Sequence, residues 1–448
     1  MTTPIRDFVA RYIRGEAARL HMPGHKGRGP LGFEALDITE IAGADALYEA
    51  DGIIAESEAN AATLFETQRT LYSTEGSSQC IRAMLHLALT HAPSSDGRPV
   101  ALAGRNAHRA FLTAAALCDF DVEWLWPESD AGSVRGTGSV CACPITPEGL
   151  RRALDAMPRA PFCVYVTSPD YLGGQLDIAA LANICRARSI PLLVDNAHGA
   201  YLKFLPERAH PMELGADMCC DSAHKTLSAL TGAAYLHISQ TADPRYAKHA
   251  KQSLSLFGST SPSYLILQSL DCVNAELAGD FPARLMECRT HLDALKAELA
   301  ARGFTVLPSD PLKLTLRTDG TRIAQRLRAS GVECEFADAG HIVLMFSPNN
   351  TPEDFNRVSL ALGEPISHAI NAEPIPPLPR ALTIRQAMFA PSETVPIHQA
   401  TGRICASPAA SCPPAIAIAV SGERITPEAA RALQNSGIRE IAVVRNES

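Results

Sequence analysis

The chain has 448 residues, a formal net charge of -8, and a composition that is 46% hydrophobic and 20% charged. This length exceeds what one ordinary core organises, so two or three domains are expected, and the negative charge argues against nonspecific nucleic-acid binding. The first twenty residues carry charges throughout, unlike a signal peptide, and no apolar run approaches the roughly 18 residues of a membrane span. The sequence therefore predicts a cytoplasmic protein that binds neither nucleic acid nor membrane.

The thirteen cysteines are scattered through the chain. Several lie in apolar stretches, as Cys163 and Cys185 do, which is typical of buried reduced thiols in a cytosolic protein. The closely spaced pairs, 141/143 and 219/220, lack the paired CxxC spacing of a zinc site. We therefore expect no bound metal.

Residues 1–60 are predicted to be an N-terminal arm with one helix, Ile5–Arg19, which Gly15 weakens. The rest of the arm is polar and punctuated by glycine and proline, so it is unlikely to form a core of its own. We expect it to lie across a larger body or a neighbouring subunit.

Helical and apolar segments alternate between Thr70 and Ser239. The predicted helices are Ser77–His91, His108–Leu117, Pro147–Met157 and Asp177–Ser189. The predicted strands are Pro99–Ala103, Val122–Trp126, Phe162–Thr167, Pro191–Asp195, Met218–Asp221 and Ala233–Ile238. Near-continuous apolar strands between helices indicate a mostly parallel sheet covered on both faces. Residues 61–280 are therefore predicted to be an α/β large domain, with its functional residues at the carboxyl ends of the strands.

The remainder of the chain is predicted to form two smaller domains, 281–372 and 373–448. Helices are expected at Ser263–Leu277 and Pro282–Ala301, and the second is long enough to link two domains. The strands Phe304–Leu307, Lys313–Leu316, Val332–Phe336 and His341–Phe346, with a helix at Thr321–Ser330, indicate an α+β domain. The Pro-rich segment Glu373–Ala381 is typical of a semi-rigid linker, and a last helix is expected at Pro427–Ser436.

Two segments carry the sharpest chemical signal, VDNAHGAY (Val194–Tyr201) and DSAHKTLSALTGAAYL (Asp221–Leu236). Asp195 ends a buried strand, where a carboxylate is costly without a positive partner. Lys225 follows another strand end, and a lysine in an enclosed site can serve as a Schiff-base amine. An Asp facing the same ligand can keep a pyridine nitrogen protonated, as pyridoxal 5'-phosphate (PLP) requires. Alone, the Asp is explained as well by a turn and the Lys by a solvated surface group.

Three upstream pieces complete the predicted site. Ser77 and Ser78 follow Gly76 at a helix start, where free N–H groups suit a phosphate, although simple N-capping by Ser77 explains the pattern too. His108 follows the strand Pro99–Ala103, where its ring could lie on a flat cofactor or serve a structural purpose. The segment TSPDYLGG (Thr167–Gly174) ends a further strand and is either a wall of the site or an ordinary turn.

Seven phrases occur in order along the chain: MPGHKG (Met22–Gly27), STEGSS, GRNAHR, TSPDYLGG, VDNAHGAY, SAHKTL and FGSTSPSYLI (Phe257–Ile266). Together they resemble the Orn/Lys/Arg decarboxylase family of fold-type-I PLP enzymes, which have the aspartate aminotransferase fold. The resemblance covers Arg6 to about Ile425. It is closest to the shorter members that lack an N-terminal wing domain.

The resemblance implies roles for individual residues. Lys225 would carry PLP as a Schiff base, Asp195 would pair with the pyridine nitrogen, His108 would stack on the ring, and His198 would lie beside it. Four further side chains would surround the phosphate: Ser77, Ser78, Ser222 and His224. The family forms homodimers with shared sites, which implies that Ser259 and Thr260 reach the phosphate of the partner subunit.

The resemblance also implies the reaction, decarboxylation of lysine, arginine or ornithine to the diamine or agmatine. After CO2 leaves, His198 or Lys225 would return a proton to Cα. The cationic end of the substrate needs carboxylates, for which Asp45, Glu56 and Glu423 are candidates, though each is equally a solvated charge. A role in polyamine synthesis or in acid resistance stays open.

The chain departs from the family pattern at two places. Glu75 stands where Asn or Gln is usual and adds a carboxylate near the predicted phosphate. The C-terminal PPGIP-type motif is changed to Cys412-Pro413-Pro414-Ala415-Ile416-Ala417.

The alternatives to a decarboxylase are an aminotransferase or aldolase of the same fold, or a catalytically silent regulator. An aminotransferase needs an arginine to grip the α-carboxylate, and no such motif stands out late in the chain.

Overall fold

The computed structural model describes residues 1–94, 96–127, 141–366, 377–407 and 418–446. Its α-helices are α1 (Pro4–Arg14), α2 (Ile53–Phe65), α3 (Ser77–Thr90), α4 (Arg109–Cys118), α5 (Pro147–Ala156), α6 (Ile178–Ala187), α7 (Pro211–Leu214), α8 (Ala223–Thr226), α9 (Pro244–Ser255), α10 (Tyr264–Leu277), α11 (Phe281–Ala301), α12 (Gly320–Ala329), α13 (Pro352–Leu362), α14 (Ile384–Phe389) and α15 (Pro427–Asn435). None of the helices in these ranges is long and apolar enough to cross a membrane.

The strands are β1 (Arg69–Ser73), β2 (Val100–Gly104), β3 (Asp121–Leu125), β4 (Cys163–Thr167), β5 (Leu192–Asp195), β6 (Met218–Asp221), β7 (Ala234–Ile238), β8 (Thr305–Leu307), β9 (Lys313–Arg317), β10 (Phe336–Ala337), β11 (His341–Met345), β12 (Ser392–Pro396) and β13 (Glu440–Val444). The chain divides into two compact units, each built from two stretches: Met1–Pro93 with Ile178–Leu285, and Ser94–Asp177 with Met286–Ser448.

The first unit carries strands in the order β1-β7-β6-β5. β5 and β6 are parallel, with Asp195 opposite Cys220, whereas β7 is antiparallel to both β6 and β1. Helix α3 contacts β5, β6 and β7 and lies against α9. The ring of Phe65, on α2, packs against the rings of Tyr235 and His237, on β7. The parallel pairing places the carboxyl ends of β5 and β6 at one edge.

Helix α1 is anchored by a buried carboxylate on α10. Asp271 Oδ2 accepts the backbone N–H groups of Ile5 and Arg6, each at 3.0 Å. These are first-turn donors that have no partner within the helix, and an anion there also meets the positive end of the helix dipole. The helix ends at Arg14 rather than at the predicted Arg19, because Gly15 closes it. The N-terminal helix thus lies on α2 and α10 of its own subunit.

The second unit carries the parallel strands β4-β2-β3. It also contains an antiparallel sheet, β10-β11-β9-β8, and the antiparallel pair β12-β13. The predicted strand Val332–Phe336 is wrong over most of its length. Gly331 has a φ of 72°, and the N–H of Val332 bonds back to Leu327 O at 3.0 Å, so these residues close α12 instead;.

The predicted α/β class with a mostly parallel sheet, accompanied by smaller α+β parts, is confirmed. Helix α2 and strand β1 were missed, and both fall where the sequence predicted irregular chain or no element. The domain boundaries after residues 60, 280 and 372 stay predictions. The altered C-terminal motif, Cys412–Ala417, and the start of the linker Glu373–Ala381 lie outside the described residues.

Candidate active site

The candidate site lies in the first unit, where β5 and β6 end side by side. β5 is the buried run Leu192–Asp195, and the side chain of Asp195 remains buried, with the residue 3% exposed. Its Oδ1 accepts the N–H of Ala197 at 3.2 Å and lies 3.7 Å from Cys220 Sγ. A carboxylate in such surroundings is stable only with hydrogen-bond donors or a cationic partner.

Lys225 and His198 are brought together by the two turns that follow these strands. Lys225 sits on the single-turn helix α8, half-buried, and its backbone N–H donates to Ser222 O at 3.0 Å. Its Nζ lies 3.0 Å from Nε2 of His198, which is buried. An amine and an imidazole at this separation share a hydrogen bond, so a proton can pass between them.

Two serines from different elements meet at the start of α3. Ser222 Oγ donates to Ser77 Oγ at 2.8 Å, and Gly76 precedes the helix with a φ of 73°. Among the described residues no side chain caps this helix, so its first N–H groups are not consumed by a cap. Helix N-termini with adjacent hydroxyls bind phosphate, and Ser78 lies in the same first turn.

His224 lies between Ser222 and Lys225 and is half-buried. Burial lowers its pKa, and the neighbouring Lys225 charge lowers the pKa further. A neutral imidazole is therefore favoured over the imidazolium at neutral pH, and such a ring can still donate one hydrogen bond.

Glu75 turns toward a loop of its own chain. Its Oε1 accepts the backbone N–H of Ser259 at 2.5 Å, and Ser259 Oγ in turn accepts the N–H of Ser261. Glu75, Ser259 and Thr260 are all exposed in the single chain. The implied contact of Ser259 and Thr260 with a partner subunit stays a prediction, and Glu75 is a further determinant of how this loop is placed.

His108 belongs to the second unit and stands at the N-cap of α4. Its Nδ1 accepts the N–H of Ala110 at 3.1 Å, so the ring proton of the neutral form is on Nε2;. The residue is half-buried. The capping bond fixes the ring, and the predicted stacking of that ring on a cofactor stays a prediction.

Glu423 is a candidate for binding the cationic end of the substrate, but its carboxylate is already paired within the second unit. Its carboxylate forms a bidentate pair with Arg105, with both N–O distances 2.7 Å. The Arg105 guanidinium also lies over the rings of Trp124 and Trp126, at 4.9 and 4.8 Å from their centroids. This buried ion pair neutralises Glu423 and leaves little negative charge for a ligand.

The other two candidate carboxylates also have local partners. Asp45 Oδ2 accepts N–H groups at the start of α2, from Gly52 and Ile54, each at 2.9 Å. Its pKa is lowered because such backbone hydrogen bonds outweigh partial burial, which by itself raises it. Glu56 accepts the hydroxyl of Thr2 at 3.1 Å. Asp45 thus stabilises the α2 N-terminus.

The segment TSPDYLGG lies against the antiparallel sheet of the second unit. Lys313 Nζ donates to Asp170 O at 2.9 Å, and Thr315 Oγ1 donates to Leu172 O at 2.7 Å. Lys313 also pairs with Asp310 at 3.1 Å, and both side chains are 1% exposed. Burial raises the pKa of Asp170 to about 6. The segment therefore attaches β4 to β9, whatever else it borders.

The donor set in the first unit fits PLP. It supplies an amine at Lys225, a buried carboxylate at Asp195, and an uncapped helix start with paired hydroxyls at Ser77 and Ser222. These are the groups needed for the aldehyde, the ring nitrogen and the phosphate of that cofactor.

A buried cluster of polar side chains next to the ends of β5 and β6 was not predicted from the sequence. Asn196, His210, Asp221 and His237 form one hydrogen-bonded cluster. The signal was available in part, because Asn196 and Asp221 directly flank predicted strand ends. His210 had no recognisable motif, and His237 lies within a strand that reads as ordinary core.

Comparisons with known proteins point to one family. A family model described as the Orn/Lys/Arg decarboxylase major domain matches residues 3–307, and the model of the C-terminal domain matches 366–435. An arginine decarboxylase of Bacillus subtilis is 30% identical over 95% of this chain and 92% of its own length. An arginine decarboxylase of Halalkalibacterium halodurans is 29% identical over 95% and 91%. The structure of E. coli constitutive lysine decarboxylase is similar in fold, with a TM-score of 0.78, 17% identity, and coverage of 99% of this chain and 82% of that one.

Proposed function

This chain belongs to the Orn/Lys/Arg decarboxylase family, and from that premise we propose that it binds PLP on Lys225 and converts arginine to agmatine and CO2. The enzyme is a decarboxylase of a basic amino acid. The observation that carries the proposal is the 3.0 Å approach of Lys225 Nζ to His198 Nε2, with the buried Asp195 at the end of the strand that precedes His198.

Bound PLP supplies an electron sink for the electron pair left when a carboxylate departs as CO2. In our proposal Lys225 would hold the aldehyde carbon of the cofactor and Asp195 would keep its ring nitrogen protonated. Ser77 and Ser78 at the start of α3, with Ser222 and His224, would hold the phosphate. His108 would stack on the ring.

In this proposal His198 and Lys225 transfer the protons of the reaction. Because Nζ and Nε2 are 3.0 Å apart, a proton that one of these atoms gives up can pass directly to the other;. Lys225 must lose its proton to act as a nucleophile, and His198 Nε2 is placed to accept it. The same pair then returns a proton to Cα after CO2 has left.

Arginine is the proposed substrate because the curated relatives named above are arginine decarboxylases at 29–30% identity over nearly the whole chain. The net charge of -8 favours the approach of a cationic amino acid;. We further propose a cytoplasmic homodimer in which Ser259 and Thr260 reach the phosphate of the partner subunit; both residues are exposed in the single chain.

The test is a product assay on purified protein supplied with PLP. Arginine, lysine and ornithine are offered separately, and CO2, amine and keto acid are each measured. We expect agmatine and CO2 from arginine, at least about 10-fold faster than product from lysine or ornithine. Keto acid without CO2 would indicate an aminotransferase, and no turnover of any of the three would contradict the proposed decarboxylation.

Lys225→Ala supplies the decisive variant, with Lys248→Ala as its control because Lys248 is exposed on α9. Lys225→Ala loses the visible absorbance of the Schiff base and at least about 1,000-fold of kcat. Lys248→Ala retains both. Equal activity of the two variants would contradict the proposal.

A further inference from the structure

A fully buried polar cluster lies on the strands that carry the candidate active site. It consists of Asn196, His210, Asp221 and His237, and we name it the Asp221 cluster. All four residues are 0% exposed. Polar side chains so deeply buried are stable only when their hydrogen bonds are made, and a partly satisfied network of this kind is costly.

Two members of the Asp221 cluster lie where the turns that carry His198 and Lys225 begin. Asn196 begins the turn after β5 that carries His198, and Asp221 is the last residue of β6, four positions before Lys225. We infer that Asp221 is a positioning residue, which acts through Asn196 to fix the His198 turn relative to Lys225. This inference rests on the proposed function, because it assigns Asp221 to the proton-handling pair of that site.

The link between the turns is direct. Asn196 Nδ2 donates to Asp221 Oδ1 at 2.7 Å, and the backbone N–H of Asn196 donates to Cys220 O at 3.0 Å. The N–H of Gly199 then closes the turn on Asn196 O at 2.7 Å. A Cβ at Gly199 would lie 2.1 Å from Asn196 Oδ1, so only glycine lets the chain close over this side chain.

Two imidazoles hold the other oxygen of Asp221. Oδ2 accepts from Nε2 of His210 at 3.0 Å and from Nε2 of His237 at 3.1 Å. Burial alone would raise the pKa of Asp221, but its interactions with the two histidines outweigh burial and hold the pKa well below the usual range. The carboxylate is therefore ionised and fixed by three N–H donors, which leaves it one orientation.

A metal ion is the rival explanation of this cluster. The ligand atoms of His210, Cys219, Asp221 and His237 lie within 4.8 Å of one another, and these residue types suit zinc;. However, Nδ1 of His210 accepts the backbone N–H of Met212 at 3.3 Å, so the ring proton sits on Nε2, the atom that would face the ion. That proton is already donated to Asp221. The geometry points to a hydrogen-bonded cluster and not to a metal site.

Three variants separate the effect of the Asn196–Asp221 hydrogen bond from the effect of the Asp221 charge. Asp221→Ala removes the acceptor of all three donors, and Asn196→Ala removes only the link. Asp221→Asn keeps a hydrogen bond between positions 196 and 221 if the Asn196 amide turns over. Oδ1 of Asn196 has no hydrogen-bond partner within the described residues, so it can accept from the new NH2 group at position 221;. The matched control is Asp271→Ala, which also removes a buried carboxylate that accepts three hydrogen bonds, but at helix α1.

The first readout is hydrogen exchange of the 196–199 turn in protein stripped of cofactor. We expect exchange at least about 10-fold faster in Asp221→Ala and Asn196→Ala, a smaller change in Asp221→Asn, and none in Asp271→Ala. The second readout is kinetic. A displaced His198 turn lowers kcat about 10- to 100-fold with KM within about 3-fold, and it shifts the pH midpoint of the Schiff-base absorbance. Asp271→Ala leaves kcat, KM and this midpoint unchanged.

Unchanged exchange of the turn in Asn196→Ala, or equal kinetics for Asp221→Ala and Asp271→Ala, would overturn the inference. So would one zinc ion per chain that is lost in Asp221→Ala, which would establish the metal site instead. If the wild-type protein releases no CO2 from any basic amino acid, the proposed function fails, and the exchange of the cofactor-free turn still decides whether Asp221 positions it.

Discussion

The Arg105–Glu423 pair supplies a stability prediction with a definite size. Arg105→Met removes both 2.7 Å contacts and leaves the Glu423 carboxylate, whose side chain is 7% exposed, without its cation. Breaking a buried pair from one side costs about 3–5 kcal/mol, and loss of the guanidinium between Trp124 and Trp126 adds about 1 kcal/mol. We therefore expect a local destabilisation of at least about 4 kcal/mol around residues 418–425.

Hydrogen exchange at Val420 measures this cost, because its N–H donates to Glu423 Oε2 at 3.0 Å. A cost of 4 kcal/mol corresponds to exchange about 700-fold faster, since each 1.4 kcal/mol is about tenfold. Glu423→Gln and the double variant complete a double-mutant cycle, in which the pair couples by about 2–4 kcal/mol. A coupling under about 0.5 kcal/mol, with the two single effects simply adding, would show that the two side chains do not stabilise each other.

Three further predictions concern buried or charged groups elsewhere. Burial raises the pKa of Asp170 to about 6, so the folded protein binds this proton more tightly than the unfolded chain. Stability therefore falls as the pH rises from about 4 to about 6, and Asp170→Asn removes about 3 kcal/mol of that fall in urea unfolding followed against pH. Asp271→Ala frees the N–H groups of Ile5 and Arg6, so trypsin cleaves within α1 at least about 10-fold faster than in the wild type. Glu75→Gln removes a negative charge beside the first turn of α3, so a PLP titration followed by absorbance shows binding about 3- to 10-fold tighter; unchanged binding would place Glu75 away from the phosphate.

Much of the fold follows from local pattern. The buried strands that precede Asp195 and Ser222 were predicted to within one residue, because short apolar runs bounded by turns have few other interpretations;. Lys225 and His198 were both singled out in the sequence. Their 3.0 Å approach required the parallel pairing of β5 and β6, which residue patterns indicate only as a class of fold.

The elements that were missed depend on tertiary contacts. β1 reads as polar chain because Arg69 and Thr70 begin it, yet Thr70 is buried against His237 on the neighbouring strand. The pairing of Arg105 with Glu423 joins residues 318 positions apart, so no local pattern predicts it. The Asp221 cluster has the same character, since its four members come from three strand ends or interiors and one helix cap.

Chemical trapping of the cofactor tests directly whether Lys225 carries PLP. The protein is incubated with PLP, reduced with borohydride, digested, and searched by mass spectrometry for a lysine that carries the reduced cofactor. We expect one modified lysine, Lys225, and loss of arginine decarboxylation in proportion to its modification. Modification of a different lysine, or full activity after Lys225 has been trapped, would contradict the assignment of Lys225.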